Sequence, residues 1–208
     1  MTYHFGVKVH EGKRGLKLTR EKYAVVSNKS SFGNNKVYDE EWCEKQLKRS
    51  MENFDLNIEY LSLLDRNEFR EGIEKFLEMN TQFIEVFDLN LYDGKSGYYL
   101  MVLDEYSQVY IGTSSNIKRR IRQHWSSSKS FDRLIFGNVN TSKLSIDSFR
   151  ALDTTRIYAY VTTQIFNIED NFINQFPDIF VCNRTIGGEM PGGLLQAISM
   201  GKKRNLTR

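Results

Sequence analysis

Two short segments constrain this chain more than any others. Residues 97–103 read as a strand opening on Gly97-Tyr98-Tyr99, and residues 109–112 read as a second, holding Tyr110-Ile111-Gly112. Five loop residues, 104–108, close them into a hairpin. Side chains alternate across a strand, so Tyr99 and Tyr110 fall on the same side of the pair. Two phenols on one surface offer hydroxyl donors and acceptors, and a phenol can move a proton where a nearby cation lowers its pKa. Taken alone, such a pair is an ordinary cross-strand aromatic contact, since strands are enriched in tyrosine.

The segment after the hairpin narrows the choice. Residues 116–125 pattern as a helix, with Ile117, Ile121 and Trp125 spaced by four as its buried stripe. Arg120 and His124 are also four apart and stack on an adjoining face. A guanidinium at that edge suits a phosphate oxygen, because its fork of donors matches the geometry. Lys118, Arg119 and Arg122 read as the solvated basic side of the same helix. A short helix over 131–136, polar loops and a strand over 156–161 come next. Asn167 is placed to cap a helix running to about residue 176, where Pro177 stops it. Glu169 sits in the first turn of that helix, where the dipole favours an acid. A lone carboxylate there can also hold a hard cation such as Mg²⁺, which keeps several waters and needs only one or two protein carboxylates. Asn183 precedes a Gly-rich turn, and an apolar segment over 194–200 leads into the basic tail of Lys202, Lys203, Arg204 and Arg208.

The first 92 residues pattern differently. The first 30 are polar and rich in Gly and Lys, with a strand-like run over 23–26, and residues 30–35 form a turn. Helical periodicity begins after Asp39, a suitable N-cap, with Trp42, Leu47 and Met51 on one side. A second helix over 66–78 carries Phe69, Ile73, Phe76 and Leu77. Residues 83–91 alternate as a strand that can pair with the sheet beyond and so blur the boundary; residues 93–96 are a turn. The boundary is placed there, giving an N-terminal domain over 1–92 and a second domain over 93–208.

The net charge of +3 is unevenly spread. Residues 97–208 hold 14 Lys and Arg against 9 Asp and Glu, a balance of +5; residues 1–96 hold 15 against 17, a balance of −2. The second half is therefore the one that attracts a polyanion. Cys43 and Cys182 are far apart and share no metal-ligand spacing, so both read as free thiols in a reducing cytoplasm. No apolar run is long enough to span a membrane, and no signal-like core opens the chain.

In order and spacing, Gly97-Tyr98-Tyr99, Tyr110-Ile111-Gly112, Arg120, His124, Glu169 and Asn183 resemble the GIY-YIG nuclease superfamily over about residues 95–190. The resemblance implies an α+β fold: a small three-stranded antiparallel sheet flanked by helices, here preceded by a mixed, mainly helical N-terminal domain. It implies hydrolysis of DNA phosphodiester bonds to 5′-phosphate and 3′-hydroxyl ends. It further implies a site of Tyr99, Tyr110, Arg120, His124 and Glu169, in which Glu169 binds a single Mg²⁺ or Mn²⁺ and Arg120 stabilises phosphate charge. Either tyrosine activates the attacking water, directly or through His124. Thr113, Lys118, Arg119, Arg122, Asn183 and Arg184 are the expected nucleic-acid contacts, with Asn183 better suited to positioning backbone; Lys143, Arg150, Arg156 and the tail are further cations able to track a phosphate backbone.

Two positions depart from the family pattern. Tyr98 stands where Ile or Val is usual, at a position expected to point into the core. Thr113 stands where some members carry a lysine, so a hydroxyl replaces a charge. The competing reading is a DNA-binding or protein-interaction module with a nuclease fold and little catalysis; intact Tyr99, Tyr110, Arg120 and Glu169 weigh against it. The motifs leave open the DNA target, the role of residues 1–92 and the oligomeric state, a homodimer included.

Overall fold

The computed structural model describes residues 2–26, 38–127, 129, 131, 134–135, 138–164 and 168–183. Expectations for the turn over 30–35, for Asn167, for Arg184, for the segment 194–200 and for the basic tail lie outside these residues, as does part of the helix expected over 131–136.

The chain opens with a hairpin of β1 (Thr2–His4) and β2 (Val7–Val9). A one-turn helix, α1 (Arg20–Tyr23), stands where the strand-like run begins. Tyr23 is buried, and its hydroxyl reaches the Leu134 carbonyl at 3.2 Å and the Asn53 amide at 3.0 Å. That tertiary anchor overrides the local β pattern.

Helix α2 (Glu40–Ser62) starts at the expected cap: Asp39 accepts from the Trp42 backbone N–H at 2.7 Å. Its buried stripe is partly polar, with Gln46, Ser50, Asn53 and Asn57 among the apolar residues. Asn57 donates to the Ser142 carbonyl at 3.0 Å and accepts from the Leu144 N–H at 3.0 Å, so the helix holds the loop that leads toward residue 147. Helix α3 (Arg66–Met79) is capped by Asp65 and buries Phe69, Ile73 and Phe76.

The main sheet is antiparallel and four-stranded, where three strands were expected. Its order is β3 (Ile84–Glu85), β6 (Arg156–Val161), β4 (Gly97–Leu103), β5 (Gln108–Ser114). The fourth strand comes from the first 92 residues: Ile84 pairs with Ala159 and Glu85 with Tyr158. It is far shorter than the alternation over 83–91 implied, because Asp88 caps a 3₁₀ turn at Leu89–Tyr92. The hairpin loop is also shorter than expected, since Gln108 already pairs with Leu103; Ser107 takes the left-handed turn position at φ 50°. Helix α4 (Ile117–Ser126) is capped by Asn116, and the short α5 (Glu169–Ile173) begins after Ile168 and ends before the expected residue 176.

β4 is central and buried at all seven positions, with helices on both faces. One face places Tyr99, Met101 and Leu103 against Ile117, Ile121 and Trp125 of α4 and against Phe54 and Leu61 of α2. The other places Tyr98, Leu100 and Val102 against Phe69, Ile73 and Phe76 of α3 and Phe172 and Ile173 of α5. Among the described residues no helix is long and apolar enough to cross a membrane. Cys43 and Cys182 are both buried and unbridged.

Candidate active site

The site grows from the hairpin register. Tyr99 lies opposite Gly112, and Tyr110 opposite Met101, so the two tyrosines share the α4 face on a diagonal, with ring centroids 6.2 Å apart. Gly112 is what lets Tyr99 lie down across β5. A Cβ there would stand 2.4 Å from the Tyr99 hydroxyl oxygen and 2.5 Å from its Cζ. Gly97 answers a different need: its φ is +151°, and a Cβ would meet the Tyr160 carbonyl at 2.0 Å. Both motif glycines thus follow from close packing inside the sheet.

Helix α4 then delivers Arg120 and His124 over the tyrosines, one turn apart, as the spacing implied. His124 is 2 % exposed, and its Nε2 is 2.9 Å from the Tyr99 hydroxyl. The Tyr110 ring meets the imidazole edge-on at 4.9 Å. Arg120 is exposed at the edge of this face, close enough for its charge to act on both phenols. Burial pushes the Tyr99 phenol well above its ordinary value, with Tyr110 adding to the rise and Arg120 opposing it. Tyr110 is raised by burial as well, again against Arg120.

Glu169 approaches from the first turn of α5 at the β5 edge. Its charge acts on both phenols and on Arg120. Burial raises its carboxyl and Asp170 adds to that, while the Thr113 backbone N–H and Arg120 act in the other direction. Tyr98 sits fully buried on the opposite face, as expected of that position, with its ring edge-on to Phe172 at 5.2 Å. Its hydroxyl lies 3.4 Å from the Ile168 N–H, so the residue that departs from the family pattern supports the start of the helix carrying Glu169.

The remaining candidates separate by location. Arg119 and Arg122 are exposed on α4, without an ion-pair partner among the described residues. Lys118 is drawn into an ion pair with Asp93 at 2.9 Å. The Thr113 hydroxyl points to the Gly97 carbonyl at 3.4 Å. Asn183 is buried, and its amide clamps one residue of β5, accepting from the Ile111 N–H at 3.0 Å and donating to the Ile111 carbonyl at 2.6 Å. The side chain is thus committed to the backbone of β5. Two of the further cations are also committed elsewhere. Arg156 pairs with Asp104, its Nε 3.0 Å from Oδ2, and Arg150 is buried against backbone carbonyls.

One residue escaped the sequence reading. Asp147 accepts from His124 Nδ1 at 2.8 Å, behind the imidazole. It lies in a 3₁₀ turn, Ile146–Ser148, with no periodic or motif signal, and only the folded chain brings it to α4.

Residues 95–163 match the family model of the GIY-YIG catalytic domain. The matched segment spans β4, β5, α4 and β6 with Tyr99, Tyr110, Arg120, His124 and Asp147; Glu169 and Asn183 lie beyond it. No curated protein and no solved structure matches the chain.

Proposed function

We propose that this protein is a divalent-metal-dependent endonuclease that hydrolyses DNA phosphodiester bonds, leaving 5′-phosphate and 3′-hydroxyl ends. The observation that carries the reading is the convergence of Tyr99, Tyr110, Arg120 and His124 on one sheet face within a GIY-YIG catalytic domain, with Glu169 at its rim. Residues 93–208 form the nuclease domain and residues 1–92 pack with it. A cytoplasmic location accords with the two unbridged thiols.

The donor set fits a hard cation. Among the described residues no cluster of three or more His, Cys, Asp or Glu forms a cage, and the single half-buried Glu169 suits Mg²⁺ or Mn²⁺, which retain most of their waters. Such an ion, when bound, polarises the phosphate and stabilises the leaving oxygen. Glu169 would hold it. Arg120, facing solvent, is placed to meet a phosphate oxygen and stabilise the charge that develops there. The Tyr99 hydroxyl has a proton acceptor in place at His124, so Tyr99 is assigned to activate water and Tyr110 to orient the phosphate. Arg119 and Arg122 track the backbone without reading sequence.

Incubation of supercoiled plasmid, linear duplex and branched oligonucleotides with Mg²⁺, Mn²⁺ or EDTA tests this. Metal-dependent cutting is expected, lost in Glu169→Ala and lowered about 100- to 1,000-fold in Arg120→Ala. Tyr99→Phe is expected to cost more than Tyr110→Phe. DNA binding without cutting, equal in wild type and Glu169→Ala, would instead establish a binding module.

A further inference from the structure

We propose that Asp147 is a positioning residue for the proposed cleavage reaction, and the assignment rests on that reading: it fixes His124 in the tautomer whose Nε2 accepts the Tyr99 proton. The three groups form one line, with Asp147 Oδ1 2.8 Å from His124 Nδ1 and His124 Nε2 2.9 Å from the Tyr99 hydroxyl. A carboxylate only accepts, so Nδ1 carries the hydrogen, and in the tautomer proposed Nε2 is bare. The phenol must then be the donor. Without Asp147 the ring has no group fixing that order, and an Nε2–H tautomer would donate to the phenol and block the proton's path.

One guanidinium ties the turn that carries Asp147 to the helix that carries His124. Arg150 is 4 % exposed and donates to the Trp125 and Ser127 carbonyls, at 3.2 and 3.0 Å, where α4 ends just beyond His124. It also donates to the Asp147 and Ser148 carbonyls of the 3₁₀ turn. Tyr110, edge-on to the imidazole, fixes the plane of the ring. The Asp147 side chain is 27 % exposed, so this end of the line reaches solvent. Both partners of the imidazole are ionisable side chains, one at each nitrogen.

In the proposed step the attacking water gives one proton to the Tyr99 oxygen while the Tyr99 proton passes to His124 Nε2. The resulting imidazolium faces the Asp147 carboxylate. The hydroxide forms the new phosphorus–oxygen bond, and the 3′ oxygen leaves and takes a proton from solvent. Transfer through Tyr99 in a single motion avoids a standing phenolate, which its buried position disfavours.

Two measurements on the full chain test this. In ¹⁵N-labelled protein, the imidazole of His124 is expected as the Nδ1–H tautomer, and Asp147→Ala is expected to convert it to Nε2–H or a mixture. In the cleavage assay, Asp147→Asn, nearly isosteric, is expected to lower kcat about 10- to 100-fold with KM unchanged, while Asp147→Glu recovers part of the loss. An unchanged kcat in Asp147→Asn, or a change in KM alone, would overturn the assignment. So would an Nε2–H tautomer in the wild type, and that spectrum decides even if no DNA substrate is cut, the outcome that would count against the nuclease reading alone.

Discussion

Gly112 shows how a single hydrogen atom can govern this site. The Tyr99 phenol occupies the space a Cβ at residue 112 would take, at 2.4 Å from the hydroxyl oxygen and 2.9 Å from a ring carbon of Tyr110. Gly112→Ala must therefore displace both tyrosines. Overpacking of this kind costs about 1–3 kcal/mol, and the Tyr99–His124 contact of 2.9 Å is the first to be lost. The variant is expected to fold with a modestly lower melting temperature but to lose most cleavage, a disproportion that thermal melts beside kcat would reveal. Asn183→Ala makes a useful contrast, since it frees the backbone groups of Ile111 without crowding the phenols.

At the level of elements, the hairpin and α4 were legible because each has a strong period and a short loop. The shared face of Arg120 and His124 followed from the four-residue spacing and that of Tyr99 and Tyr110 from strand alternation, while their candidate roles came only from the family resemblance. Asp147 was not legible, because a 3₁₀ turn has no repeat and its partner lies 23 residues away. The fourth strand was half legible: alternation over 83–91 marked a strand, yet only Ile84 and Glu85 pair before Asp88 redirects the chain. A further link joins the hairpin turn to β6. Burial opposes charge on Asp104, but hydrogen bonds from Arg156 and Thr155 outweigh it and hold the carboxyl below its ordinary value of 3.8. A depressed acid stabilises the folded state at pH above the unfolded-state pKa and loses that contribution as pH falls through the folded value. Asp104→Asn is thus expected to cost up to about 1 kcal/mol at neutral pH, given the partial exposure of the pair. Urea unfolding of wild type and variant should converge as pH drops below about 4.

Across the whole molecule, the candidate site residues all lie beyond the line drawn at residue 92, while the hydrophobic cores run across it. On the α4 face, Val7, Leu18, Tyr23, Phe54, Leu61, Val86 and Leu89 pack with Tyr99, Met101 and Leu103. On the other, Phe69, Ile73, Phe76 and Phe83 pack with Tyr98, Leu100 and Val102. Each large apolar side chain uncovered forfeits about 1.5–3 kcal/mol, against a total stability on the order of 5–15 kcal/mol for a domain. Removing residues 1–92 would uncover part of both faces of β4 and leave β6 an unpaired edge, so several such losses together exceed what a fragment can sustain. Residues 93–208 expressed alone are therefore expected to show no cooperative thermal transition by far-UV circular dichroism, and to cut no DNA even with Mg²⁺. Supplying residues 1–92 in trans should restore part of both signals if the apolar faces reassociate. A cooperative melt with full cleavage by 93–208 alone would show that the shared cores contribute little, and would leave residues 1–92 to act on the substrate or on a partner instead.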